Sequence, residues 1–169
     1  MTAASLRHAC MMALLLAFAA PASAHAVNAE MQRASISLAS KGVAASAAGD
    51  TARARRLFEE AIVADPANAH ALSRLGLLYA AKGEAATARK YFHFALEVEP
   101  TEPDALLGAG RLDLADGKAD EARDRLRILS VACPACEQTK ELSRALEAGS
   151  NAAAASQSPI PAPTPQNHP

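Results

Sequence analysis

Cys133 and Cys136, in "CPAC", are the residues of this chain whose type and spacing most directly suggest chemistry. A C-x-x-C pair can close a structural bridge, exchange as a redox dithiol, or supply half of a metal site. A metal site needs two more ligands, and no His or Cys follows at the usual spacing; haem attachment would need His where Glu137 stands. Redox exchange wants the attacking thiol at a helix N-terminus, where the thiolate is stabilised. The helical periodicity instead puts Cys133 at the end of one helix and Cys136 at the N-cap of the next, with no β-α-β pattern around them. A Cys133–Cys136 bridge is therefore the favoured reading. It would pin the last helix to the helices before it and contribute roughly 2 kcal/mol in the chain-entropy picture.

The histidines are dispersed. His70 begins a helix, as a peptide contact or a solvated helix-start residue; His93 lies beside Phe92 on an outer face; His25 could chelate copper only as a new N-terminus, and no second histidine completes that site. There is no G-x-S-x-G, no H-E-x-x-H and no phosphate-binding glycine loop. The sequence thus predicts no catalytic residue, no cofactor and no resident metal. Charges such as Arg55, Glu59 and Glu60, or Arg123, Asp124 and Arg127, fall at helical spacing on polar faces, as solvated surface does.

Residues 1–24 read as a secretory signal: Arg7 and His8 precede the apolar run "MMALLLAFAA", and "PASA" places small residues at Ala22 and Ala24. The run is about half the ~20 residues a spanning helix needs, and no later segment is long enough, so no membrane span is expected in the mature chain. Cys10 precedes the apolar run and follows a charged "LRHA", unlike a lipidation site. The 17 Lys+Arg against 18 Asp+Glu carry no nucleic-acid footprint. At the other end, residues 149–169 have no charged side chain and five prolines from Pro159 onward, a composition expected to be disordered. Export near Ala24 predicts a periplasmic or secreted protein and, with two cysteines remaining, an oxidised pair.

Half of the residues are apolar and only 4% aromatic, so a core must be built from Ala and Leu between closely approaching helices. The stretch "ALSRLGLLYAAKGEAATARKYFHFALEVEP" holds two helical patterns divided by Lys82-Gly83. Leu72, Leu75, Gly76 and Tyr79 form one stripe at i, i+3, i+4 and i+7; Ala88, Phe92 and Ala95 form the second; Pro100 stops it. Sliding by 34 residues recovers the pattern at Leu38, Gly42, Gly49, Ala54, Phe58, Ala61 and Pro66, and again at Leu106, Gly110, Gly117, Ala122, Leu126 and Pro134. A generic helical bundle shows the 3.6-residue period but not glycines and prolines in phase.

A 34-residue helix-turn-helix unit with these positions resembles the tetratricopeptide repeat family, over roughly Ser35 to Cys136. The resemblance implies an all-α, right-handed solenoid: a lead-in over 25–34, repeats at 35–68, 69–102 and 103–136, and a capping helix at 137–148. The middle unit fits throughout. Lys41 and Ala45 depart from the pattern in the first, and Ala109, Asp113 and Leu129 in the third. In this family the first helix of each unit lines a concave groove that takes a peptide or helix of another protein. That assigns a groove to His70, Ser73, Arg74, Leu77, Asp104, Leu107, Arg111 and Leu114. Relatives that grip a carboxyl-terminal peptide carry Lys and Asn where Ala39 and Val43 stand, so the groove is expected to favour an apolar peptide face. Its other occupants would be the chain's own "HAVNAEMQRAS" or a second copy. The function implied is a non-enzymatic interaction module with a protein partner. The alternatives are a permanent subunit of an envelope assembly and a C-x-x-C redox protein.

Overall fold

The computed structural model describes residues 22–156; most of the expected leader, 1–21, and the end of the tail, 157–169, lie outside the described residues. Among those described are seven helices and no strand: α1 Ala22–Ala47, α2 Thr51–Ala64, α3 Ala69–Ala81, α4 Ala85–Val98, α5 Pro103–Ala115, α6 Ala119–Ala132 and α7 Glu137–Ser156. The period is visible in the boundaries. α3 and α5 are each 13 residues long. α2, α4 and α6 are each 14. Within each set the starts fall 34 apart, as the sequence pattern requires.

Each turn between paired helices is made by a glycine with positive φ: Gly49 at 79°, Gly83 at 78° and Gly117 at 77°. That left-handed backbone costs a Cβ-bearing residue roughly 1–2 kcal/mol, which is why the three glycines recur in phase. The turn between the first two units uses a side-chain cap. Asn68 Oδ1 accepts from the Ala71 N–H at 2.9 Å, while its Nδ2 donates to Ser35 Oγ at 2.7 Å and Ser35 donates on to the Ala61 carbonyl at 2.7 Å. One asparagine thus caps α3 and ties it to α1 and α2.

Helices pack as hairpins, α1 with α2, α3 with α4 and α5 with α6, and the hairpins stack through α2–α3, α3–α5 and α4–α5. The result is an all-α solenoid, with the core a row of small and large residues in register. Phe58 sits against Gly42, where a Cβ would lie 2.6 Å from the ring. Phe92 sits between Gly76 and Gly108, where added Cβ atoms would lie 2.7 and 2.2 Å from its ring. Gly110, one period after Gly76, receives Leu142 of α7 instead. α7 packs on α5 and α6. It fills the place a further unit would take, and Leu142 is fully buried there.

Two boundaries differ from the sequence expectation. α1 runs unbroken from Ala22 through the lead-in, and α7 continues to Ser156, eight residues beyond the expected end of the cap. "NAAAAS" is rich in the best helix former, and nothing stops the helix before the prolines that begin at Pro159.

Candidate functional site

The first helices of the units, α1, α3 and α5, carry the residues expected to face the groove, and a 34-residue period stacks equivalent positions on neighbouring helices. Leu77 on α3 and Arg111 on α5 are one period apart. With Ala80, Ala81, Gly108 and Leu112 they line a cavity of about 340 Å³ between α3 and α5. Gly108 carries no side chain because Phe92 lies directly beneath it, so the backbone of α5 forms the cavity floor. Arg111 is exposed and its guanidinium meets Glu141 of α7 at 2.8 Å, which fixes it at the rim.

The remaining groove positions divide. Leu114 is half-buried. Ser73 and Leu107, 0% and 5% exposed, lie under the surface, Leu107 in a cluster with Leu129 of α6 and Leu142 of α7. His70 and Asp104 are also one period apart, and Asp104 is 4% exposed. His70 Nδ1 stands 3.6 Å from Glu102 Oε1 and 3.9 Å from Asp104 Oδ2. Asp104 Oδ1 accepts from Gln138 Nε2 at 2.7 Å, and Arg74 Nε lies 2.9 Å from Oδ2. The Ser73 hydroxyl lies 3.1 Å from Glu102 Oε1. Burial alone would raise the Glu102 carboxyl, but the His70 imidazole, the Ser73 hydroxyl and the Asp104 backbone N–H outweigh it and hold it below the usual range. Sequence reading assigned no part to Glu102, which precedes Pro103 and reads as a turn. The available signal was its place two residues before Asp104, the period partner of His70.

A second polar cluster explains a departure in the third unit. Asp113 stands where the middle unit has Tyr79, whose ring stacks on Tyr91 at 5.4 Å. Asp113 is 4% exposed and receives Arg89 of α4 at 3.0 Å and Arg125 of α6 at 2.6 Å. Arg89 also donates to the Leu112 carbonyl at 2.8 Å. The large apolar ring is replaced by an ion cluster that joins three helices.

Cys133 and Cys136 appear as two thiols rather than as the expected bridge. Cys136 Sγ lies 2.9 Å from the Cys133 carbonyl and 3.3 Å from Thr139 Oγ1, in front of the first turn of α7. Burial pushes the Cys136 thiol up, but hydrogen bonds from the Cys133 thiol, the Thr139 hydroxyl and the N–H groups of Thr139 and Cys136 outweigh it and lower it. Its partner Cys133 is raised, chiefly because its thiol hydrogen is engaged by Cys136. The arrangement follows the sequence expectation that Cys136 begins the last helix.

Residues 79–132 match the family model described as tetratricopeptide repeat. No curated protein matches the sequence. Solved structures share the architecture. The first tetratricopeptide domain of Spaghetti, bound to an HSP90 peptide, superposes with a TM-score of 0.61 at 20% identity, over 73% of this chain and 95% of that one. The Sgt2 domain from Aspergillus fumigatus gives 0.63 at 23%, over 80% and 90%. The type III secretion chaperone SycD of Yersinia enterocolitica, in complex with a peptide of the translocator YopD, gives 0.56 at 21%, over 72% and 92%. Repeated helical hairpins stacked in register define an α-solenoid. Residues 79–132 carry the tetratricopeptide repeat pattern, and the chain shares the fold of solved tetratricopeptide domains.

Proposed function

We propose that this chain is a non-enzymatic interaction module of the bacterial envelope that holds a peptide or helix of another protein on its concave face. The observation that carries the reading is the cavity between α3 and α5, with Leu77 and Leu112 as apolar walls, Gly108 as floor and Arg111 at the rim. A bare backbone floor admits an apolar side chain deeply, and a fixed cation beside it favours a partner with a carboxylate or carbonyl nearby. Similar domains are seen bound to an HSP90 peptide and to a YopD peptide, which supports a peptide as the occupant. Ala39 and Val43 offer no carboxylate clamp, so the apolar contact is the main anchor. Three units offer a small interface, and affinity on the order of micromolar follows unless other contacts add to it.

Leu77→Glu combined with Arg111→Glu places two acids where an apolar wall and a cation stood, neither of them in the buried core. Capture of the partner by tagged protein from an envelope extract is expected to fall at least tenfold while helicity by circular dichroism is unchanged. Equal capture by the double variant removes the groove as the binding site.

Export is the second part of the proposal. The leader-like residues 1–24 support it, and their removal with Cys10 would leave two cysteines to pair. Once exported, Cys133 and Cys136 close into the bridge that fastens α7 to α6. Protein recovered from the periplasm is expected to begin near His25 and to show no reactive thiol until a reductant is added. Two free thiols in that fraction would contradict the bridge, an intact Met1 would contradict cleavage of the leader, and absence of the protein from the periplasm would contradict export.

A further inference from the structure

We propose that His70, Glu102 and Asp104 form a binding site for one divalent transition-metal ion of the zinc class, at the end of the groove where α3 and α5 begin. The site is separate from the cavity beside Leu77 and lies beyond an interaction function. Its three donors come from two repeat units: His70 from the start of α3, Glu102 from the N-cap of α5 and Asp104 from the first turn of α5.

Their spacing is the first argument. The ligand atoms His70 Nδ1, one Glu102 oxygen and one Asp104 oxygen all lie within 4.8 Å of one another. At 3.6 and 3.9 Å the imidazole nitrogen is too far from either carboxylate for a hydrogen bond. Donors held about 2.0–2.2 Å from a tetrahedral ion stand roughly 3.4 Å apart, so a small contraction around an ion satisfies all three.

The donors are also held from behind. The Ser73 hydroxyl lies within reach of both Glu102 Oε1 and the His70 carbonyl, and Gln138 Nε2 of α7 donates to Asp104 Oδ1, which leaves Oδ2 between His70 and Arg74. Arg74 Nε is close to Oδ2 but is buried without a hydrogen-bond partner, so its N–H is not directed at that oxygen. Arg74 neutralises part of the charge without occupying the position that faces His70. Asp104 is buried, whereas the His70 side chain is 44% exposed, so the ion would be reached from solvent and keep open positions there.

An imidazole beside two carboxylates selects zinc, nickel or copper over magnesium and calcium, which prefer all-oxygen shells. The full chain with Cys133→Ser and Cys136→Ser, which removes the competing thiols, is titrated with zinc chloride by calorimetry. One ion per chain is expected, weakened at least tenfold by His70→Ala and by Asp104→Asn, with cobalt giving a visible absorption band that His70→Ala abolishes. His70 is half-exposed, so its variant reports binding even if Asp104→Asn disturbs the fold. No binding up to ~1 mM zinc, or affinity unchanged in His70→Ala, overturns the site.

Discussion

Replacing Gly108 by alanine lowers the free energy of unfolding by about 2 kcal/mol, the expected cost of overpacking after the helix-propensity gain of roughly 1 kcal/mol is set against it. The added Cβ would lie 2.2 Å from Phe92 Cζ, with two further ring atoms at 2.5 and 2.7 Å. The ring cannot retreat, because it is 1% exposed and Gly76 confines it from the neighbouring helix. α5 must then move away from α3, which opens both the core and the cavity floor. Gly149 supplies the contrast: it lies on α7 with nothing within 4 Å of a Cβ, so the same substitution there raises stability by up to about 1 kcal/mol. Urea unfolding followed by circular dichroism measures both. A Gly108→Ala protein as stable as the parent would mean that α3, α4 and α5 do not meet as described.

The second large effect belongs to Asp113. Asp113→Ala is expected to cost about 2–3 kcal/mol, because it leaves Arg89 and Arg125 without the carboxylate they share. The full penalty for stranding a buried charge is higher. Here both arginines are about one-third exposed and turn partly to water, so the lower figure applies. Asp113→Asn keeps the shape and one acceptor oxygen and should fall between the parent and Asp113→Ala. Loss of stability in urea that is equal for Asp113→Ala and an exposed-surface control such as Asp124→Ala would contradict the cluster's role.

The fold was legible because its strongest signals are local and periodic. Gly49, Gly83 and Gly117 adopt the same left-handed turn because only a residue without a Cβ does so at little cost, and a 34-residue interval between them needs no tertiary information. Asn68 as a cap is legible for the same reason. What escaped is contact between units. Gly108 is outside the repeat's own signature, since its partner Phe92 belongs to the preceding unit. Asp113 read as a departure at an aromatic position; its explanation requires Arg89 and Arg125 from two other helices. The groove was half legible. Counting helical positions put Leu77 and Arg111 on the open face, but it could not tell that Ser73 and Leu107 are buried, Leu107 beneath α7. Glu102 escaped because a residue before proline reads as a turn, whatever stands across from it in space.

Partner binding as proposed requires an open concave face, and the most direct measurement of that face is site-specific crosslinking in living cells. A photoreactive benzophenone amino acid is placed at Leu77, in the cavity between α3 and α5, and in a second strain at the exposed Arg123 of α6 as a control. Irradiation is expected to yield a discrete covalent adduct to another protein from position 77 and none from position 123. Absence of any adduct at 77, or the same adduct from both positions, would contradict a groove that holds a partner.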